Sequence, residues 1–392
     1  MTQPVSEYDI AIVGGGMVGA ALASGLAARQ FSVALLDKQR APVFDPQSPY
    51  DLRISAIGLS SVRLLQQLGA WSDAEAMRCW PYRRLETWEE PGSTVSFDAT
   101  ALGLSELGYM VENNVIQRAL WQQLNQQPVT IITPASLRQM HYTGEGWQLT
   151  LENGDTLFAR LVVGADGAAS RVRQLAGIGI HGWQYAQSCM LISAVLEKEA
   201  GECTWQQFTP QGPRALLPLA GNHASLVWYD HPARIRQLQS LSMPQLAREI
   251  HHHFPERIGQ VTPLQAGGFA LTRRHARRYV LPGLALVGDA AHTINPLAGQ
   301  GVNLGYRDVS ALLDTLTTAR DNGQTWYSEE VLQRYQHRRW RDNQLMQSSM
   351  DLFHFSFSHS FPPLRIARNI ALRLAENAGP LKKQALRYAL GL

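Results

Sequence analysis

Apolar positions near the start of the chain change period twice. "YDIAIV" is a continuous apolar run, "MVGAALASGLAARQ" spaces its apolar residues as a helix does, and "FSVALLD" is a second β-rich run. Residues 8 to 37 are therefore predicted as strand, turn, helix and strand, the βαβ unit from which parallel sheets are built. Helical spacing returns in "RISAIGLSSVRLLQQLGAW", where Val62, Leu65 and Leu68 share a face, and in "VIQRALWQQLNQQ", which leads into the strand "VTIIT". "WQLTLENGDTLFARLVVGADG" predicts a hairpin continuing into a buried strand.

The pattern then changes. Between residues 187 and 229 the β-rich segments "CMLISAVL", "TWQQF", "RALLPL" and "ASLVWYD" are separated by glycine, proline and acidic residues, which predicts an antiparallel sheet. From "LPGLALVGD" the α/β pattern resumes, and from about Val331 it is mostly helical. The expected architecture is α/β. A Rossmann-like nucleotide-binding domain (1–75, 106–180 and 272–330) is interrupted by an antiparallel-sheet substrate domain (76–105 and 181–271), and a helical region (331–392) follows.

Composition narrows the class. With 45% hydrophobic and 17% charged residues and a mean hydropathy of −0.18, the 392 residues suit a soluble protein of two or three packed units. No basic-then-apolar leader opens the chain, and no apolar run reaches the roughly 18 residues that span a bilayer, so a cytoplasmic protein is expected. Cys79, Cys189 and Cys203 are too widely spaced for a disulfide framework or a zinc site, and "HHHF" from His251 is read as a polar helix face. No metal is expected. A net charge of +3 is too small to argue for nucleic acid. Between Leu352 and Leu392, however, Arg365, Arg368, Arg373, Lys382, Lys383 and Arg387 face the single acidic residue Glu376.

Candidate chemistry lies in glycine loops. Gly14, Gly16 and Gly19 form G-x-G-x-x-G between strand and helix: the first permits the turn, the second lets a pyrophosphate approach the backbone, and the third lets helix and sheet pack closely. Asp37 ends the second strand, where a carboxylate accepts ribose hydroxyls. Gly177, Gly179 and Gly182 repeat the spacing after a helix-like stretch and are discounted. Two further strands end in "GADG" and "GDAAHTINPLAGQGVNLG", placing Asp166 with Gly167 and Gly288 with Asp289 where a carboxylate can hold a ribityl hydroxyl. Gly299, Gly301 and Asn303 open the next helix, whose amides suit a phosphate or the pyrimidine edge of a flavin. Two glycine clusters nearly three hundred residues apart thus point to one long ligand, FAD.

"VGGGMVG", "GADGAASRVR" and "GDAAHTINPLAGQGVNLG", in this order, resemble the FAD-dependent aromatic hydroxylases of the para-hydroxybenzoate hydroxylase type over nearly the whole chain. "DLRISAIGLSSVRLLQQLGAW", "MRCWPYRRLETWE", "GYMVENNVIQRALW" and "QQFTPQGPRALLPL" are similar to the ubiquinone-biosynthesis hydroxylases within that group. The resemblance implies a monooxygenase that hydroxylates the ring of a polyprenylated benzoquinol or phenol through a flavin C4a-hydroperoxide, with O2 as co-substrate and NAD(P)H as donor. It places Arg53 and Asn113 near the cofactor and Pro296, Leu297 and Gly299 beside the reactive flavin edge. Asp37 stands where many relatives carry glutamate. A hydroxylase of another ring position, such as that of 2-octaprenylphenol, and a flavin-bearing assembly subunit remain open.

His292, Tyr229 and His223 are possible bases for substrate deprotonation, with none preferred. Trp205, Phe208, Trp228 and Tyr229 are divided between core and a roof over the flavin. In the tail, Leu364, Ala367, Ile370, Leu374 and Ala378 form an apolar helical stripe, which either packs on the flavin domain or meets an inner membrane or the other ubiquinone-biosynthesis enzymes. The second use is the one expected.

Overall fold

The computed structural model describes residues 6–294, 301–357 and 361–391. The parallel part of the first sheet runs Val129–Ile132, Val33–Leu36, Ser6–Val13, Thr156–Gly164, Leu284–Leu286 in space. Its central strands end in Val, Ile, Leu and Ala buried on both faces, as a parallel sheet covered by helices requires. Met17–Ala27 crosses from the first strand to the second, and its small residues bring it close to its neighbours; a Cβ on Gly25 would stand 2.6 Å from Leu313 of the helix Gly301–Asp321.

The second sheet is ordered His292–Thr293, Val261–Ala276, Ile180–Leu196, His223–Asp230, Arg214–Pro218, Cys203–Gln207, Arg84–Trp88, Val95–Asp98. Most neighbours are antiparallel; Cys203–Gln207 and Arg84–Trp88 run parallel. Because Cys189 pairs with Tyr229, Leu191 with Val227 and Gln206 with Ala215, these residues share one face, and alternation sends Met190, Trp228, Leu216 and Trp205 to the other. That other face is buried against the helices Pro232–Gln239 and Met243–His253. Trp205 and Trp228 are therefore core, Tyr229 faces the first sheet's domain, and Phe208 stacks on Phe357 with centroids 4.0 Å apart.

A third sheet, Ile54–Gly58, Gly108–Glu112 and Cys79–Tyr82, lies at the junction. His292–Thr293 pairs with Arg274–His275, so the second sheet ends on the loop that leaves the first. Three helices, Glu329–Phe357, Pro362–Glu376 and Pro380–Leu390, follow. Leu386 and Leu390 of the last are buried with Tyr50, Ile54 and Leu217, so the tail closes the junction rather than standing apart from it. No helix among the described residues is long and apolar enough to cross a membrane, and none of their His, Cys, Asp and Glu side chains cluster in threes to hold a metal.

Candidate functional site

Three loops converge at the carboxyl ends of the parallel strands, where open α/β sheets place their ligands. Gly14 has φ +108°, and a Cβ there would lie 2.4 Å from the Ala165 carbonyl oxygen; one on Gly19 would lie 1.8 Å from that of Gly14. These two glycines are needed for the fold itself. Gly16 differs, because a Cβ on it would meet nothing within 4 Å, and the helix it opens has no side-chain cap. The loop is held from behind, where Trp121 Nε1 and Gln117 Nε2 donate to the Gly15 carbonyl at 2.7 and 3.0 Å. Asp37 accepts from the Gly15 amide at 2.5 Å and the Gln39 amide at 2.7 Å, and each oxygen keeps a lone pair for a ribose hydroxyl.

The second loop brings Asp166 beside Gly14. Its Oδ2 accepts from the Arg171 and Val172 amides at 2.6 and 3.1 Å, whereas Oδ1 is buried without a hydrogen-bond partner. Such an orphan acceptor is costly unless a ligand hydroxyl completes it. Gly167 (φ +78°) again leaves open space. In the third loop Gly288 and, one helix on, Gly305 both close on Val18 of the first helix, at 3.3 and 2.5 Å from the Cβ each would carry. The two clusters therefore meet in space.

Asp289 follows with its side chain exposed to solvent, near enough to Arg53 and His292 for their charges to favour its ionised form. Arg53 is itself exposed, and its carbonyl accepts from the Asn113 amide at 3.0 Å, while Asn113 Oδ1 accepts from Ser55 Oγ at 2.6 Å. Gly301 begins its helix with nothing near a Cβ. Asn303 is used differently: Nδ2 donates to the Ala56 carbonyl at 2.7 Å and Oδ1 accepts from Gly58 N and Ser61 Oγ at 3.0 and 2.7 Å, which fastens the helix to the third sheet. Pro296, Leu297 and Gly299 lie outside the described residues.

Sequence reasoning missed the group that organises the third loop. Asp308, fully buried, accepts from Gly288 N at 3.0 Å, His292 Nε2 at 2.5 Å, Arg339 Nε at 2.7 Å and Asn343 Nδ2 at 3.2 Å. Burial alone would raise its carboxyl, but His292 and Arg339 outweigh this and hold it well below the usual range. The signal was present: Leu304, Asp308, Ala311 and Leu312 share a helical face, and an aspartate on an apolar face demands partners. Glu112 was missed as well. Buried, it accepts from the Asp51 amide at 2.8 Å and pairs with Arg78 at 3.2 Å, which fixes the segment carrying Arg53.

Beside this cradle is an apolar pocket. Ile54, next in sequence to Arg53, forms one wall, and Cys189, Leu191, Val227 and Phe269 of the second sheet form the other, with Gln206 and Tyr229 as polar groups. Burial pushes the Tyr229 phenol well above 10, so it stays protonated at neutral pH. His292 is engaged with Asp308, and His223 packs on Tyr50 with ring centroids 5.2 Å apart.

Comparison with known proteins gives the family. Residues 7–349 match the FAD binding domain family. The chain is 61% identical over 385 residues to the 3-demethoxyubiquinol 3-hydroxylase of Escherichia coli (strain K12), covering 98% of each chain. It is 36% identical over 389 residues to the ubiquinone hydroxylase UbiL of Rhodospirillum rubrum, covering 98% of this chain and 89% of that one. Among solved structures, p-nitrophenol 4-monooxygenase PnpA from Pseudomonas putida DLL-E4 superposes with a TM-score of 0.81 at 18% identity, over 99% of both chains.

Proposed function

The chain belongs to the FAD-binding-domain family, among the ubiquinone-biosynthesis hydroxylases, and from that premise we propose that it hydroxylates the ring of demethoxyubiquinol. The observation that carries the reading is the apolar pocket whose wall continues directly from Arg53 at the cofactor cradle. FAD fits that cradle: the orphan Asp166 Oδ1 and the open faces of Gly16, Gly167 and Gly301 are what a dinucleotide would fill. In this reading Gly16 and the first helix hold the pyrophosphate, Asp37 the ribose, Asp166 and Asp289 the ribityl chain, and Gly301 the flavin end. When bound, the flavin takes electrons from NAD(P)H and activates O2.

The protein's own part is to orient the ring and exclude water. Cys189, Leu191 and Val227 give the ring an apolar seat, while the Gln206 amide offers a hydrogen bond to one of its oxygens. We assign residues 1–75, 106–180 and 272–330 to the cofactor, and 76–105 and 181–271 to the substrate, although Cys79–Tyr82 pairs with the cofactor-side strand Gly108–Glu112. The enzyme works at the cytoplasmic face of the inner membrane with other enzymes of the pathway.

The test is turnover by purified, FAD-loaded protein of a short-chain demethoxyubiquinol with NAD(P)H and O2. The reading expects hydroxylated quinol in step with NAD(P)H consumed. Oxidation of NAD(P)H that yields only hydrogen peroxide, with the quinol intact, would favour a hydroxylase of another ring position, and no oxidation at all would favour an assembly subunit.

A further inference from the structure

The helix Pro362–Glu376 is mounted inside out. Its inward side is largely polar: Arg368 Nε meets Glu89 Oε2 at 3.1 Å, a second Arg368 nitrogen pairs with Glu89 Oε1, and Asn369 Nδ2 donates to the same carboxylate at 2.9 Å, while Leu372 alone of its leucines and isoleucines is buried, with Val95, Phe208 and Phe357. Both Arg368 and Glu89 are buried. Glu376 Oε2 accepts from Ser96 N at 2.8 Å, and Arg373 Nε donates to the Gly92 carbonyl at 3.1 Å, so the helix is fastened along its length to the hairpin of Arg84–Trp88 and Val95–Asp98. Apart from Leu372, the large aliphatic residues that ordinarily face a protein core point the other way. Ile366, Ile370 and Leu374 are 62%, 51% and 67% exposed. In the last helix Leu381 is 71% exposed, opposite the buried Leu386 and Leu390. A buried ion pair that holds an apolar face in water is a poor arrangement for stability alone.

We propose that this face, with the exposed Leu352, Phe353 and Phe355 at the end of Glu329–Phe357, docks the enzyme on an anionic lipid bilayer. Charge supports that occupant. Of the six cations of the tail, Arg365, Arg368 and Lys382 pair with Glu90, Glu89 and Glu376, while Arg373, Lys383 and Arg387 have no carboxylate partner among the described residues. Lipid-facing helices combine large aliphatic and aromatic residues with such cations, which the negative surface potential attracts. Continuity supports it as well. The apolar cluster of Cys189, Tyr229 and Leu191 at the substrate pocket extends to Met350, and the exposed Leu352 and Phe353 follow within one turn. A polyprenyl chain leaving the ring pocket on the Met350 side would pass the buried Asp351, whose charge is paired with Arg273 at 2.9 Å, before it reached Leu352 and Phe353. The choice of a lipid surface rests to this extent on the substrate proposed above.

The experiment is flotation of the full-length holoenzyme with vesicles of phosphatidylglycerol and phosphatidylethanolamine, and with phosphatidylcholine vesicles as the neutral control. The wild type is expected to float with the anionic vesicles, less so at high salt, and little with the neutral ones. Ile366→Glu with Ile370→Glu should weaken anionic binding at least about tenfold, and Lys383→Glu with Arg387→Glu should remove the preference for anionic lipid. Both double variants should keep wild-type flavin content and wild-type turnover of the short-chain quinol, so failure of docking and failure of the proposed reaction are read separately. Wild-type protein that stays with the soluble fraction, or variants that float as it does, would overturn the proposal. So would a wild-type dimer in sedimentation that Ile366→Glu/Ile370→Glu converts to monomer, since the face would then belong to a second copy.

Discussion

Asp308 and His275 set two different pH limits on the same region. Asp308 is held low by His292 and Arg339 against the cost of burial, so its stabilising charge is present above the unfolded carboxylate value near ~4 and is lost as pH falls below it. Asp308→Asn leaves Arg339 and His292 buried without that charge, and should cost about 3–5 kcal/mol in urea unfolding at neutral pH. His275 acts in a higher window. Burial lowers its pKa from 6.5 to about 4; its Nδ1 faces Gln347 Oε1 at 2.7 Å, and Gln347 Nε2 is already committed to the Arg274 and Thr293 carbonyls. The unfolded chain therefore binds the proton first, and stability present above 6.5 is lost as pH falls toward 4. His275→Gln should flatten the fall of the urea midpoint across that interval; an unchanged slope would show that another group controls it.

At the scale of elements, the first glycine loop separates cofactor binding from folding. Gly16→Val adds a side chain into open space, so the apoprotein should unfold at the wild-type temperature while FAD binding weakens at least about tenfold in titration. Gly19→Ala drives a Cβ into the Gly14 carbonyl and should lower the melting temperature of the apoprotein itself. Equal effects of the two substitutions on apoprotein stability would mean that the face of Gly16 is not open in the folded protein. The loop was legible because its chemistry is local: strand, glycine turn, helix and acidic strand end lie within residues 6 to 37. The third sheet was not, since Ile54–Gly58, Cys79–Tyr82 and Gly108–Glu112 are short and find one another only across long sequence separations. Likewise, the Asp308–Arg339 contact joins two helices that no spacing rule connects. Periodicity located the apolar stripe of Pro362–Glu376 but not its direction, because a stripe does not say which side of a helix meets the body.

For the whole molecule, three sheets and a helical tail meet around the apolar pocket of Ile54, Cys189 and Val227. Leu386 and Leu390 close the junction from the tail side, beside Ile54 of the pocket wall. Losing the last helix therefore opens the core, and a chain ending after Asp351 should lose stability together with any lipid contact, as its melting temperature would report. Whether this pocket serves one ring position of a polyprenyl quinol is read out by the quinones that build up when the protein is deleted from its host. Demethoxyubiquinone should accumulate, reversed by the wild-type gene and not by Gly16→Val. Accumulation of an octaprenylphenol instead, or an unchanged ubiquinone pool, would contradict it.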